Sequence, residues 1–312
     1  MASDSTGRLQ WGNLPNDVQE AVETLLGGSI ATACSQTGGY SPGTADRIQT
    51  NSGKRAFVKV VGNEQNPFSL KLHRTEARTM SILPEGLPCP EFLGHHDQGD
   101  WVALIFSDVE GKHPHLPWHS DELSRVLDTV HSVSQVALSG DALDLLPSLS
   151  VQRAYSFQGW DRLSYDPDAS LDTWAVNNFD MLTELSEQAP AAVSGNQLVH
   201  TDLRADNLLF TKDGNVTIVD WPWAAIGASW FDALTLLIDV RVYDPDYDVE
   251  SVIASHRVFS SATPEELNAV LAGLAGYFID AARQPAPQGI PTLRAFQKRE
   301  GEAALNWLKE RL

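Results

Sequence analysis

The sequence predicts an α+β fold in two lobes, a strand-rich lobe followed by a helical one. Short apolar runs bounded by turn residues fill the first third of the 312-residue chain, and such runs are typical of strands. Apolar residues at helical spacing, such as Leu123, Val126 and Val130, dominate the rest. A chain of this length can bury one large core or two moderate cores. We therefore predict a first lobe over residues 1–108 and a mostly helical lobe over residues 109–312.

Composition restricts the possible partners. The chain has 22 basic and 41 acidic residues, a formal net charge of −19, which argues against nucleic acid or an anionic membrane as a partner. The charge is compatible with a cationic substrate, although solubility or a salty cytoplasm explains it equally well. The two cysteines, Cys34 and Cys89, accompany no signal-like start and no long apolar run. We therefore expect a reduced, cytoplasmic protein.

A single lysine, Lys59, interrupts the apolar strand predicted over residues 56–61. A helix predicted from about residue 68 to residue 83 follows, and Glu76 lies on its apolar stripe. A glutamate on that stripe needs a cationic partner, so we predict an ion pair between Lys59 and Glu76. The alternative is a solvent-exposed strand lysine and an ordinary helix glutamate.

Upstream of this strand, residues 38–44 read Gly-Gly-Tyr-Ser-Pro-Gly-Thr. Glycine lets the backbone approach a phosphate closely and offers its N–H groups. Alone, such a segment is ordinary loop chemistry. Its position before the strand of Lys59 favours a phosphate-covering loop, with Gly39, Ser41 and Gly43 as candidate nucleotide-binding residues.

The most informative segment is residues 200–207, which ends at Asn207 and is followed by two apolar runs and then by Asp220. Asp213-Gly214 between the runs predicts a β-hairpin. Because its strands are antiparallel, the start of one strand at Asn207 should lie beside the end of the other at Asp220. Mg²⁺ prefers oxygen ligands together with substrate phosphates. The sequence therefore predicts that Asn207 and Asp220 bind Mg²⁺.

This segment also carries a family resemblance. His200-x-Asp202-x-x-x-x-Asn207, followed by a strand-terminal Asp220, resembles the catalytic and metal-binding segments of the protein-kinase-like superfamily. Asp220-Trp221, in place of Asp-Phe-Gly, resembles the aminoglycoside phosphotransferase family of small-molecule kinases. The resemblance implies two lobes, an antiparallel N-terminal sheet with one main helix and a mostly helical C-terminal lobe.

The chain departs from the usual family pattern, His-Gly-Asp-Leu-His-x-x-Asn, at two positions. Thr201 replaces the glycine and Arg204 replaces the second histidine. Neither change removes an essential oxygen. Arg204 occupies the position where protein kinases carry a lysine directed at the transferring phosphoryl group, and a guanidinium suits that role.

The resemblance further implies direct transfer of a γ-phosphate from ATP or GTP to a hydroxyl group. Lys59 would bind the phosphates and Glu76 would orient Lys59. Asp202 would accept the proton of the acceptor hydroxyl, and Arg204 would stabilise the equatorial oxygens.

Other positions receive supporting roles from the same resemblance. The segment Ser107–Gly111 resembles the hinge between lobes, where backbone groups pair with the purine, so Phe106, Asp108 and Val109 are candidates for nucleotide binding. Asp232 would accept backbone N–H bonds around His200 and hold the catalytic loop. His200 itself is expected to be a packed, hydrogen-bonding histidine and not a proton carrier.

The acceptor is not determined by the sequence. The family phosphorylates aminoglycosides, other antibiotics, choline, homoserine, methylthioribose and amino sugars. We expect a small-molecule hydroxyl, either on an antibiotic, with self-protection as the role, or on a small metabolite such as an amino sugar, a choline-like compound or a nucleoside. Acidic residues of the second lobe are candidates for substrate binding or are solvated loop residues: Asp161, Asp166, Asp168, Asp172, Asp239, Asp244, Asp246 and Asp248.

Three alternatives remain open. A nucleotide-binding protein without transfer activity would be expected to lack Lys59, Asp202, Asn207 or Asp220, but all four are present. A nucleotidyl transferase could use the same residues. A zinc site could be built from the histidines, but no cysteine partners or helix-spaced His-Glu motif accompany them, so loop or surface histidines are favoured: His95, His96, His113, His115 and His119.

Overall fold

A computed structural model describes residues 9–36, 42–166 and 171–312. The strands are β1 (Ile30–Ser35), β2 (Thr44–Thr50), β3 (Arg55–Gly62), β4 (Phe92–Gln98), β5 (Trp101–Ser107), β6 (Gly111–Lys112), β7 (Gln197–Val199), β8 (Leu208–Thr211), β9 (Val216–Ile218) and β10 (Ala225–Gly227). The helices are α1 (Asn16–Leu26), α2 (Pro67–Ile82), α3 (Ser120–Ser134), α4 (Asp141–Leu145), α5 (Leu149–Arg153), α6 (Gly159–Tyr165), α7 (Thr173–Asn177), α8 (Phe179–Ala192), α9 (Phe231–Tyr243), α10 (Val249–Ser255), α11 (Pro264–Ala282) and α12 (Leu293–Arg311).

The chain divides into two units. Within the described residues, unit 1 contains the chain up to His113 together with Asp206–Trp223 and Pro287–Pro291. Unit 2 contains Pro114–Ala205, Ala224–Ala286 and Thr292–Leu312. The sequence pattern instead places everything after residue 108 in the second lobe. The difference arises because β8 pairs with β6, so the hairpin of β8 and β9 lies with unit 1.

Unit 1 is built on an antiparallel sheet of order β1-β2-β3-β5-β4. Side chains alternate between the two faces of a strand. On β3, Ala56, Val58 and Val60 are fully buried in a core with Val18 and Val22 of α1. Lys59, between Val58 and Val60, points to the opposite face. The sheet therefore presents one lysine to the side away from α1.

Two helices accompany this sheet. The predicted helix after β3 is α2, and it packs against β3, β4 and β5. Its N-cap is Asn66, whose side-chain oxygen accepts the N–H of Ser69 at 2.9 Å. The second helix, α1, is additional to the one main helix that the family resemblance implies. Its residues Val18, Val22 and Leu26 recur at i, i+4 and i+8 and are buried against the sheet.

Unit 2 is mostly helical, as predicted. Its central helix, α11, contacts α6, α8 and α12 and begins with a complete capping box between Thr263 and Glu266. The backbones of α6 and α11 approach closely at Gly159 and Gly276, where a Cβ on Gly159 would lie 2.1 Å from a backbone atom of Gly276. No helix in the described ranges is long and apolar enough to cross a membrane.

Candidate active site

In unit 1, the ammonium of Lys59 contacts two carboxylates. Its Nζ donates hydrogen bonds to both oxygens of Glu76, at 2.8 and 3.0 Å, and to Oδ1 of Asp220 at 2.8 Å. The side chain of Glu76 is only 3% exposed, and that of Asp220 is 40% exposed. The structure thus brings Lys59 and Glu76 together, as the sequence predicted, and adds Asp220 to the pair.

Burial and charge act in opposite directions on this cluster. Burial lowers the pKa of Lys59, but the negative charges of Asp220 and Glu76 outweigh burial, and the pKa is raised above its ordinary value. Burial raises the pKa of Glu76 against the opposing charge of Lys59. Lys59 is therefore a firmly protonated cation next to the buried carboxyl group of Glu76, and its second partner, Asp220, is partly exposed to solvent.

Asn207 and Asp220 lie at the open end of the predicted hairpin. The turn at its other end contains Gly214 with φ 79°, and the N–H of Val219 donates to the carbonyl oxygen of Asn207 at 3.0 Å. This bond pairs Val219, the residue before Asp220, with Asn207. An amide oxygen and a carboxylate at this end form a donor set that suits a small hard cation such as Mg²⁺.

Backbone strain occurs at two residues, Thr201 in the segment 200–207 and the candidate metal-binding residue Asp220. Among the described residues, Thr201 (φ 68°) and Asp220 (φ 69°) are the non-glycine residues with positive φ. Such a conformation costs about 1–3 kcal/mol and persists only where surrounding contacts enforce it. Strain of this kind is concentrated at functional sites in proteins. It therefore supports the importance of both segments independently of any motif.

In unit 2, Asp232 holds the loop that follows β7. Its carboxylate accepts the N–H groups of His200 at 2.6 Å and Thr201 at 2.7 Å. Burial raises the pKa of Asp232, while the charge of His200 and the two N–H bonds lower it. The N–H of Asp202 lies 3.3 Å from Nδ1 of His200. These contacts give Asp232 the loop-bracing geometry expected of it and place His200 in a hydrogen-bonding position.

Arg204 lies beside Asp202 of the same motif and against Phe296 of α12, which the sequence pattern does not connect with it. Its guanidinium lies over the ring of Phe296, 4.8 Å from the centroid, and 3.8 Å from Oδ1 of Asp202. Glu300, one turn after Phe296 on α12, is 3% exposed, and its Oε1 has no hydrogen-bond partner among the described residues. Burial and the charge of Asp239 raise the pKa of Glu300 well above its ordinary value.

These α12 residues could not be identified from the helical pattern. Phe296 lies on an apolar stripe, which by itself predicts core packing. The sequence contains no local signal that relates Phe296 or Glu300 to a loop so much earlier in the chain. Only the packing of α12 within unit 2 reveals the relationship.

The acidic residues proposed for substrate binding have different environments. Asp239 is buried and accepts hydrogen bonds from Nε1 of Trp118 at 3.1 Å and the N–H of Ala205 at 3.3 Å, so it is not a solvated loop residue. Asp172 and Asp248 cap α7 and α10. Asp166 pairs with Arg283, and Asp168 lies outside the described residues.

The hinge candidates lie at the end of β5. Phe106 is buried, with Nζ of Lys59 5.5 Å from its ring centroid. Asp108 forms ion pairs with Arg55 at 2.5 Å and Arg47 at 3.3 Å. The carbonyl oxygen of Val109 accepts a hydrogen bond from Arg47 at 2.9 Å. The carboxylate of Asp108 and the carbonyl oxygen of Val109 are thus held by arginines. The role of residues 106–109 in purine binding stays a prediction.

The glycine-rich segment is described only at its end. Gly39 and Ser41 lie outside the described residues. A Cβ on Gly43 would lie 2.2 Å from the carbonyl oxygen of Val60, so a side chain cannot fit there without moving β3. Gly43 is therefore required for the close approach of this segment to β3, whatever its role toward a nucleotide.

Two histidines before α3 and one glutamate in its first turn bring possible metal ligands within 4.8 Å of one another, namely His115, His119 and Glu122. Glu122 accepts hydrogen bonds from the N–H of His115 and, at 2.8 Å, contacts its Nδ1. The two imidazole rings are stacked with an interplanar angle of 9°. Because ring nitrogens bind metals in the ring plane, parallel stacked rings do not converge on one ion, and this geometry gives no support to a zinc site.

Comparison with known proteins identifies what this chain is similar to. Residues 37–273 match the model of a family described as the phosphotransferase enzyme family. No curated protein sequence matches the chain significantly.

Similar solved structures cover nearly the whole chain. A thermostable mutant of aminoglycoside phosphotransferase APH(4)-Ia, in a ternary complex with ADP and hygromycin B, has a TM-score of 0.60 and 14% identity over 95% of this chain and 98% of that chain. Choline kinase LicA from Streptococcus pneumoniae has a TM-score of 0.59 and 11% identity, covering 94% and 98%. An aminoglycoside phosphotransferase from Alicyclobacillus acidocaldarius has a TM-score of 0.55 and 15% identity, covering 95% and 96%. At these identities the likeness confirms the predicted fold class.

Proposed function

The chain belongs to the phosphotransferase enzyme family, and we propose that it transfers the γ-phosphate of ATP or GTP to a hydroxyl group of a small molecule. The proposal rests most strongly on the contacts of Lys59 with Glu76 and Asp220. A buried lysine held between a buried acid and a solvent-facing acid is suited to binding phosphates beside a metal ion.

Unit 1 supplies the proposed nucleotide-binding residues. Lys59 would donate hydrogen bonds to phosphate oxygens, while Glu76 keeps the ammonium in place. Asn207 and Asp220 would hold Mg²⁺, which when bound neutralises charge on the phosphates. The exposed carboxylate of Asp220 is suited to exchanging its contact with Lys59 for a metal ion.

Unit 2 supplies the proposed catalytic base. The acceptor hydroxyl oxygen attacks the γ-phosphorus, the bond from that phosphorus to the β–γ bridging oxygen breaks, and Asp202 takes the hydroxyl proton. The side chain of Asp202 is 32% exposed, so an acceptor can reach it. Arg204, 3.8 Å from Asp202, would offset the charge on the phosphoryl oxygens.

We propose an aminoglycoside or another antibiotic as the acceptor, with resistance as the biological role. The net charge of −19 is compatible with a cationic acceptor. Among the similar structures are one named as binding hygromycin B and one named as a choline kinase. Kinases of small metabolites such as amino sugars, choline-like compounds or nucleosides are therefore the second candidate.

A substrate screen tests the proposal. Consumption of ATP and of GTP, with and without Mg²⁺, is measured against aminoglycosides, nucleoside antibiotics, amino sugars and amino alcohols. Mass spectrometry of the product distinguishes an added phosphate from an added nucleotide. A product carrying AMP would show nucleotidyl transfer, and nucleotide binding without any product would favour a binding protein.

The variant Asp202→Ala tests the assignment of the catalytic base. We expect turnover to fall by about 10²–10⁴-fold, the usual contribution of a general base, while nucleotide affinity stays almost unchanged. A mild loss of turnover would reject Asp202 as the base.

A further inference from the structure

Thr201, the residue before the proposed base, has a backbone conformation that its side chain disfavours. Its φ is 68°, in the left-handed region that glycine enters readily and a β-branched residue resists. The conformation determines the direction in which the chain enters Asp202. Surrounding contacts must therefore hold Thr201 in this conformation.

Arg153, the last residue of α5, supplies one of these contacts. Its Nη2 donates to the carbonyl oxygen of Thr201 at 2.7 Å and lies 3.3 Å from the hydroxyl oxygen of the same residue. The helix that carries Arg153 packs against α8 and β10, and Leu149 at its start is fully buried. Arg153 therefore reaches Thr201 from a fixed element of unit 2.

The peptide group between Thr201 and Asp202 is held at both ends. Arg153 binds its carbonyl oxygen, and its N–H, which belongs to Asp202, lies 3.3 Å from Nδ1 of His200. The preceding peptide is held by Asp232, which accepts the N–H of Thr201 at 2.7 Å. Both peptide planes that flank Thr201 are thus fixed, and with them its φ and ψ.

We propose that Arg153 is a positioning residue for phosphoryl transfer, acting through Thr201 to fix the orientation of Asp202. This inference rests on the proposed function, in which Asp202 receives the hydroxyl proton. Arg153 belongs neither to the residues that would bind nucleotide nor to the motif. Its loss is expected to lower kcat because a small displacement of the base is costly, while the KM for ATP is unaffected.

Thr201→Gly makes this role distinguishable from general structural support. Glycine populates the left-handed region without the penalty of a Cβ, so a loop with glycine at this position depends less on the bond from Arg153. If Arg153 enforces a strained backbone, its removal should matter much less in the glycine variant. If Arg153 supports unit 2 in another way, its removal should lower kcat by the same factor in wild type and in Thr201→Gly.

The experiment compares wild type, Arg153→Met, Thr201→Gly and the double variant. We expect Arg153→Met to lower kcat about 30-fold or more with unchanged KM for ATP. In the Thr201→Gly background, the fold-decrease in kcat caused by Arg153→Met should be about ten-fold smaller. Equal losses in both backgrounds, or a loss confined to KM, would overturn the proposal. Arg125→Met, which removes a partly exposed guanidinium from α3, is the matched control and should retain wild-type kcat.

A readout independent of turnover separates this inference from the proposed function. Amide hydrogen exchange over residues 197–204 should be faster in Arg153→Met than in wild type, and exchange elsewhere in unit 2 should be unchanged. Unchanged exchange over this segment would overturn the positioning role even if activity fell. Acceleration over all of unit 2 would show a general loss of structure, and Arg153→Lys, which keeps a donor and a charge, must then restore kcat for the proposal to stand. If wild type phosphorylates no acceptor, but Arg153→Met still accelerates exchange only over residues 197–204, the proposed function alone is contradicted.

Discussion

Lys59 and Asp220 are separated by 161 positions in the chain, yet Nζ of Lys59 donates a hydrogen bond to Oδ1 of Asp220 at 2.8 Å. The contact joins the middle of β3 to the end of the hairpin of β8 and β9. Because Glu76 also contacts Lys59, the ammonium would retain a counter-charge if Asp220 bound a metal ion instead. This arrangement leads to predictions for each member of the cluster.

Asp220→Asn should abolish Mg²⁺-dependent nucleotide binding. The amide oxygen can still accept a hydrogen bond from Lys59, but the neutral group is a much weaker ligand for a hard cation. Calorimetric titration with ATP in the presence and absence of Mg²⁺ measures the change. We expect the two titrations of the variant to coincide, whereas those of wild type should differ. A variant with unchanged Mg²⁺ dependence would show that Asp220 does not bind the metal.

Glu76→Gln should lower both stability and nucleotide affinity. Glu76 is buried against Lys59, and removing one partner of a buried ion pair costs about 3–5 kcal/mol. Since Asp220 remains beside Lys59, we expect a loss near the lower end, about 3 kcal/mol in the free energy of unfolding. Urea denaturation measures this loss, and the KM for ATP should rise. Arg78→Gln, at an exposed position of the same helix, should change stability by less than about 0.5 kcal/mol.

His73→Leu should make the protein less sensitive to acid. Burial, followed by the charge of Lys59, lowers the pKa of His73 to about 4, while an unfolded histidine has a pKa of about 6.5. Between these values the unfolded chain binds a proton that the folded protein does not. The contribution of His73 is therefore fully present above about pH 6.5 and is lost as pH falls toward 4, by about 1.4 kcal/mol per pH unit.

Urea denaturation between about pH 7 and pH 4.5, a range that spans most of this titration, tests the prediction. The stability of wild type should decrease more steeply on acidification than that of His73→Leu. Parallel curves would mean that His73 is able to ionise in the folded protein.

Glu300→Gln should have the opposite pH signature. The pKa of Glu300 is raised, chiefly by burial, so the folded protein keeps a proton that the unfolded chain releases above about pH 4.5. Stability is therefore lost as pH rises from that value toward the folded pKa, by about 1.4 kcal/mol per pH unit. The neutral amide removes this loss, and thermal denaturation from about pH 4.5 to 8 should show the variant gaining on wild type at the higher pH. A variant less stable than wild type at the upper end of this range would indicate an ionised Glu300.

Several parts of the fold and site could be predicted because their signals are local. Two apolar runs around Asp213-Gly214 specify a hairpin whatever surrounds it, and this pairing places Asn207 beside the end of the partner strand. A lysine in an apolar strand and a glutamate on an apolar helix stripe need partners, and Lys59 and Glu76 provide them for each other. These inferences required only the periodicity of strands and helices.

The sequence by itself therefore determined the family pattern, the strand-then-helix order and the pairing of Lys59 with Glu76. Tertiary structure alone decided that the hairpin lies with unit 1, that Thr201 is held in a left-handed conformation by Arg153, and that Phe296 lies against Arg204. The physical reason is that hydrophobic periodicity reports which face of an element is buried but not which distant side chain it meets. Contacts between residues far apart in the chain depend on how whole elements pack, and no local pattern of residues encodes them.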